Sequence, residues 1–346
     1  MSSMIYSLLR TGKSRLTELA DVVHPELDHE SRVKKFKRWV SNQNIDHANF
    51  FLPMLSKILA NLSHQKEVIL AIDGSPVASG CVCLMISLIW QKRSIPLCWL
   101  VRRGKKGHFP VDMHVELVKQ VAAFLPPHHK IILLGDGEFS KVELMDFCES
   151  KGWNYVFRTA KNRKIYKTRK EAIGKLETSL YPKQGKQTAW YPEVYYTEKK
   201  KYGLVAVLCH HNPKQEEPWY LVSNMDHPPK IIAVYKMRFG IETLFSDLKS
   251  RGFNVHKSKL RNPDRIARLL IAVCLAFIFT ILAKIKSKNF PKKMMKRILR
   301  QDQPNQFSPF FEGKKILKYI FHFPDFVSNN FKKLLLDLKS VRLQDS

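Results

Sequence analysis

Residues Tyr235 to Lys249 read YKMRFGIETLFSDLK. At about 100° per residue on an α-helix, Tyr235, Arg238, Glu242 and Lys249 fall within roughly 60° of one another. Ile241, Leu244, Phe245 and Leu248 occupy a separate face. The pattern predicts one helix with two stripes. One stripe packs into a core, and the other presents a carboxylate flanked by two cations and a phenol. Burying a lone carboxylate is costly, so the polar stripe makes chemical sense when a divalent metal ion and a phosphate backbone lie against it.

Two further carboxylates are candidates to share that site. Asp73 and Asp136 each close an apolar run predicted to be a strand, in KEVILAID and KIILLGD. Ligands of open α/β sheets collect at the carboxyl ends of strands, so if the two strands are neighbours both carboxylates emerge at one edge. Asp73 is also isolated, because no acidic residue occurs between 74 and 111 while Lys92, Arg93, Arg102, Arg103, Lys105 and Lys106 do. Taken singly, Asp73-Gly74 and Asp136-Gly137 each fit an ordinary turn. Taken with Glu242 they form an all-oxygen set of the kind that suits Mg²⁺ or Mn²⁺. Two such ions about 3.5–4 Å apart clamp the attacking and leaving oxygens of an in-line phosphoryl transfer. Arg238 and Lys249 would then hold phosphates, and Tyr235 would meet a base or a phosphate. Glu138 is a weaker candidate ligand, since two residues past Asp136 its side chain is expected on the opposite face of an extended segment.

The bulk composition agrees with a polyanionic partner. The chain has 346 residues, 45% of them apolar, with a formal net charge of +29 and a pI near 9.9. Its cations are spread over every segment rather than gathered beside a hydrophobic anchor, which favours nucleic acid over a membrane surface. The six cysteines form no CxxC pair and mostly lie in apolar runs, as expected of reduced core thiols in a cytoplasmic protein. The N-terminus lacks the long apolar stretch of a signal peptide. The run Leu269 to Ala283 is short for a membrane span and is expected to be a buried core helix.

Residues 1–62 read as a helical unit with Lys34, Lys35, Lys37 and Arg38 between apolar positions, either a DNA-binding module or an ordinary solvated face. Residues 63–285 read as strand, strand, strand, helix, strand, helix, strand, with a Gly-Ser-Pro turn after Asp73 and Ser140 capping a helix over 140–151. That order implies an α/β unit with a mixed sheet flanked by helices. It is interrupted at 163–225 by a β-rich insertion, after which helix resumes from Pro228. Residues 286–346 carry far more Lys and Arg than Asp and Glu and are expected to be a basic, helical unit.

The spacing Tyr, two residues, Arg, three residues, Glu, six residues, Lys at 235, 238, 242 and 249 resembles the signature of bacterial insertion-sequence transposases of the DDE type. LAIDGSP and LLGDGEFSKVELMDFCESKGWNYVFR resemble the stretches around that family's first and second aspartates, so the resemblance runs from about Lys66 to Ala283. It implies a ribonuclease-H-like core with catalytic Asp73, Asp136 and Glu242 holding Mg²⁺ or Mn²⁺, two ions in all. It further implies binding of double-stranded DNA at terminal inverted repeats, strand cleavage and strand transfer, a hairpin intermediate and a homodimer in the synaptic complex. Trp219 sits where the family's insertion bears a tryptophan that stacks on a flipped base; an aromatic packed within a strand is the ordinary alternative. A metal-dependent nuclease that does not join ends, and a domesticated, catalytically silent DNA-binding regulator, are the competing functions.

Overall fold

A computed structural model of the chain describes residues 1–62, 67–90, 93–105, 109–125, 130–184, 186–214, 216–290, 292–299 and 307–322. The expected turn residues Gln91 and Lys92, the cations Lys106 and Lys66, and residues 323–346 of the basic C-terminal unit lie outside this set.

The N-terminal part is helical: α1 (Ser2–Thr11), α2 (Leu16–Ala20), α3 (His29–Ser41), α4 (His47–Phe50) and α5 (Leu52–Leu62). Asp28 caps α3 by accepting from the Ser31 N–H, so the acidic start read from the sequence has a specific geometric role. Lys34, Lys35, Lys37 and Arg38 are exposed, while Val33, Phe36 and Val40 face inward. These helices share one continuous core with the sheet.

Next come β1 (Glu67–Ala78), β2 (Cys81–Trp90), β3 (Arg93–Arg103), α6 (Val111–Ala122), β4 (Lys130–Gly135), α7 (Val142–Ser150) and β5 (Asn154–Arg158). The region of the expected insertion supplies β6 (Lys164–Tyr166), β7 (Ala172–Lys175), α8 (Leu176–Ser179), β8 (Thr188–Tyr196), β9 (Tyr202–His210) and β10 (Trp219–Ser223). All ten strands form a single sheet in the order β3-β2-β1-β4-β5-β10-β9-β8-β6-β7. β4 and β5 run parallel to β1, while β2, β3 and β10 pair antiparallel with their neighbours. The strands of 164–223 therefore extend the central sheet through β10 against β5.

Two local expectations are corrected. The Gly-Ser-Pro segment after Asp73 is not a turn: β1 continues, with Gly74 opposite Leu84 and Pro76 opposite Val82. Proline is tolerated there because β4 ends at Gly135, leaving that stretch of β1 without a ladder partner on one side. Ser140 does not cap a helix. Its hydroxyl donates to the Gly137 carbonyl and closes a 3₁₀ turn over Gly137–Phe139, and α7 starts at Val142.

The C-terminal part contains α9 (Pro228–Met237), α10 (Phe239–Leu248), α11 (Pro263–Lys286), α12 (Lys292–Leu299) and α13 (Pro309–His322). α11 contains the membrane-length apolar run, and 83% of its most apolar window is buried inside the fold. It lies against β3, where the Trp99 indole donates to the Ala267 carbonyl, and Arg268 donates to the carbonyls of Val40 and Ile45. All six cysteines are buried free thiols.

α13 closes over the segment that follows α10. The Lys314 ammonium donates to the Gly252 carbonyl at 3.3 Å, and Phe310 stacks on Phe277. Beneath it lies Asp247, 2% exposed, whose carboxyl is pushed up to about 6 by burial, with Arg93, Arg251 and Lys314 pulling the other way. A carboxyl that binds its proton more tightly in the folded than in the unfolded chain favours folding fully below its ordinary value near 3.8. That contribution is lost as pH rises through 6. Asp247→Asn should therefore flatten the pH dependence of stability between 4 and 6. Wild type should lose on the order of 2 kcal/mol over that window through this group, as measured by urea unfolding at stepped pH.

Candidate active site

The register of the central sheet brings the two aspartates together. The parallel pairing of β1 with β4 runs from Glu67 opposite Lys130 to Ala71 opposite Leu134. The pairing stops there, and its register continued by two residues leads to Asp73 on one strand and Asp136 on the other, with paired strands about 4.8 Å apart. Asp73 lies within β1 and is 3% exposed, whereas Asp136 follows the last residue of β4. Each fixes one carboxylate oxygen on downstream backbone. Asp73 Oδ1 accepts from the Gly74 N–H at 2.8 Å, and Asp136 Oδ1 accepts from the Glu138 N–H at 2.9 Å. The turn-forming role that the Asp-Gly pairs suggested is thus real at Asp136 and absent at Asp73.

The signature segment is not one helix. Tyr235 belongs to α9, Glu242 to α10, and Arg238 is the joint between them, with φ −52 and ψ −36. Lys249 sits just beyond α10, in a non-helical conformation. The buried charge of the stripe is Arg238, 6% exposed, and not Glu242, whose side chain is 48% exposed. Arg238 donates to Glu242 Oε1 at 2.6 Å, and its guanidinium lies 4.8 Å from the Phe239 ring centroid and 5.6 Å from that of Tyr235. Burial opposes its charge, but Tyr235, Glu242 and Asp73 outweigh it and hold the guanidinium above its ordinary value. The Tyr235 hydroxyl is raised by burial and lowered in part by Arg238 and Arg158, with Asp136 adding to the rise. Arg238 therefore lies within electrostatic reach of Asp73, and Tyr235 within reach of Asp136. On the other side, the Lys249 ammonium donates at 2.8 Å to the Ser75 hydroxyl, which shares the face of β1 that carries Asp73.

The three carboxylates do not form a ready-made cage. Among the described residues no group of three or more His, Cys, Asp or Glu side chains is placed to hold a metal ion. Asp73 and Asp136 lie just past the last residues paired between β1 and β4, while Glu242 is engaged with Arg238. The donor chemistry still fits a hard divalent cation, since every candidate donor is a carboxylate oxygen. Glu242 is the most exposed of the three.

Trp219 opens β10 and is 5% exposed. Tyr235 meets it edge-on at 5.2 Å and Phe239 lies at 5.9 Å, so the indole is the floor of an aromatic cluster. Tyr235, 1% exposed, is equally enclosed. The exposed ring of the cluster is Phe239, at 41%. The helical-stripe reading assigned Phe239 no role, because it falls outside both stripes. Ser75 was also missed; its i+2 spacing from Asp73 was the available signal.

Gly240 sets how closely α10 approaches the sheet. A Cβ there would lie 2.8 Å from the Ser94 hydroxyl of β3, a buried oxygen with no hydrogen-bond partner. Gly240→Ala should cost about 1–3 kcal/mol by overpacking despite the better helix propensity of alanine. Adding Ser94→Ala in the same chain should recover most of that loss in denaturant unfolding.

Comparison with known proteins gives this geometry a context. The family model described as "Transposase DDE domain" matches residues 107–279, a span that contains Asp136, Trp219, Tyr235, Arg238, Glu242 and Lys249 and begins downstream of Asp73. Among solved structures, the chain is similar to one described as "Cryo-EM structure of piggyBac transposase synaptic complex with hairpin DNA (SNHP)". The TM-score is 0.47 at 14% sequence identity, covering 99% of this chain and 75% of that one. No curated protein matches.

Proposed function

The chain belongs to the transposase DDE domain family, and on that premise we propose that it is an insertion-sequence transposase of bacterial type, with a ribonuclease-H-like core built on strands β1 to β5. The observation that supports this reading is the parallel register of β1 and β4, whose continuation past Ala71 and Leu134 leads to Asp73 and Asp136, with Arg238 coupled electrostatically to Asp73 while bonded to Glu242. In this reading residues 63–285 are the catalytic unit with the 163–225 insertion, residues 1–62 are a DNA-binding unit, and 286–346 are a basic accessory unit. Two copies would bring two transposon ends together in the bacterial cytoplasm.

Asp73 and Asp136 would hold Mg²⁺ or Mn²⁺, joined by Glu242. Bound there, two divalent ions would lower the barrier to attack by water or a 3′-hydroxyl and stabilise the departing oxyanion. Arg238, held charged by its surroundings, supplies a fixed cation for the phosphate next to the scissile bond. Lys249 supplies a second from the Ser75 side. Tyr235 orients Arg238 from below, and Trp219 backs Phe239, the ring of the cluster best exposed to stack on a base.

Purified protein with Mg²⁺ should cleave DNA carrying the terminal inverted repeats of its element and join the freed 3′-end to a target. Glu242→Gln should reduce both to background while leaving end binding intact. Binding without cleavage by wild type would favour the regulator, and cleavage without joined products the nuclease. Contact with six or more phosphates should also weaken end binding about 10³-fold or more between 50 and 200 mM salt, read by fluorescence anisotropy. A salt-independent affinity would argue against phosphate-dominated docking.

A further inference from the structure

Glu138 lies two residues past Asp136, and its carboxylate reaches α6 and the segment just before it. Oε1 accepts from the Phe109 backbone N–H at 2.9 Å and lies 3.7 Å from His114 Nε2. His114, on α6, is fully buried, neither ring nitrogen has a hydrogen-bond partner, and its ring lies 4.8 Å from that of Phe139 in the 3₁₀ turn after Asp136. At 3.7 Å it is within ion-pair range of Glu138 and beyond hydrogen-bond reach. The segment that Glu138 holds matters because of where the Phe109 ring goes. It sits over Gly74, where a Cβ would lie 2.6 Å from the ring, and Gly74 is the residue whose N–H orients the Asp73 carboxylate. The N–H of Glu138 itself orients Asp136.

One residue thus touches both halves of the aspartate pair, through its backbone to Asp136 and through Phe109 to the backbone beside Asp73. We propose that Glu138, backed by His114, is a positioning residue that fixes the two aspartate segments relative to each other. The inference rests on the transposase reading. Its chemistry follows from burial. The Glu138 side chain is 14% exposed, so removing its carboxylate leaves the Phe109 N–H without an acceptor in a largely water-free place. The ring over Gly74 then loses its anchor.

The test compares Glu138→Ala, Glu138→Gln and Phe109→Leu in the full chain, by cleavage of end DNA, Mn²⁺ binding followed by electron paramagnetic resonance, and thermal melting. Glutamine retains an oxygen acceptor for the Phe109 N–H, so Glu138→Gln should cleave with nearly wild-type kcat. Glu138→Ala should lower kcat about 10²-fold with an unchanged KM for DNA, and it should weaken Mn²⁺ binding. Phe109→Leu should do the same in milder form, and it decides the matter if Glu138→Ala does not fold. Wild-type kcat and Mn²⁺ affinity in both Glu138→Ala and Phe109→Leu would overturn the proposal. So would a Glu138→Gln variant as inactive as Glu138→Ala, or losses that merely track a lowered melting temperature. Absence of cleavage by wild type would count against the transposase reading instead, and the Mn²⁺ affinities of the variants would still decide the positioning role.

Discussion

The architecture of the site depends on one buried cation. Arg238 is almost fully enclosed at the joint of α9 and α10, and a guanidinium removed from water is tolerable only with anionic and aromatic partners around it. Glu242, Asp73, Tyr235 and Phe239 supply them. Because those partners come from β1, α9 and α10, the requirement to satisfy one guanidinium fixes how the glutamate helix sits over the sheet. Gly240 permits that approach by leaving room for Ser94.

The sheet supplies the second half of the arrangement. β4 ends where β1 runs on, so both aspartates lie at a step in the sheet, just past the last paired residues of the two strands. Phe109 covers the Gly74 side of the backbone beside Asp73, and the Lys249–Ser75 bond lies on the opposite face of β1, the one that carries Asp73. The site is therefore built from segments brought together by sheet order, with Phe109, the turn after β4 and the residues just past α10 around it. The strands β6 to β10 enlarge the same sheet, and their first contribution to the site is Trp219 beneath the aromatic cluster.

Much of this was legible in the sequence. The apolar runs KEVILAID and KIILLGD marked strands, and the periodicity after Pro228 marked helix; that the two strands are parallel neighbours came only with the structure. The spacing of Tyr235, Arg238, Glu242 and Lys249 marked residues that the structure spreads over two helices and a cap, with Arg238 against Tyr235 and Glu242 and Lys249 on Ser75. What the sequence left out is tertiary. A period of 3.6 residues cannot report a joint at Arg238, where the backbone stays near helical values while the hydrogen-bond ladder breaks. Nor can it say which charge of a polar stripe is buried, and the burial of Arg238 rather than Glu242 follows from cations and rings on other elements. Asp73-Gly74-Ser75-Pro76 reads as a turn because turn chemistry is local, whereas its extended conformation is imposed by pairing with β2. Glu138 was legible only as an acid near Asp136, since its partners Phe109 and His114 are more than 20 residues away.

The central claim is that Asp73, Asp136 and Glu242 share one cation site over which Arg238 stands. Iron-directed backbone cleavage tests it most directly: Fe²⁺ substituted for Mg²⁺, with ascorbate and peroxide, cuts the polypeptide next to the bound ion. The account predicts fragments ending near residues 73, 136 and 242 together, all suppressed by excess Mg²⁺. Cuts at the two aspartates without one near 242, or cuts elsewhere that Mg²⁺ does not suppress, would contradict it.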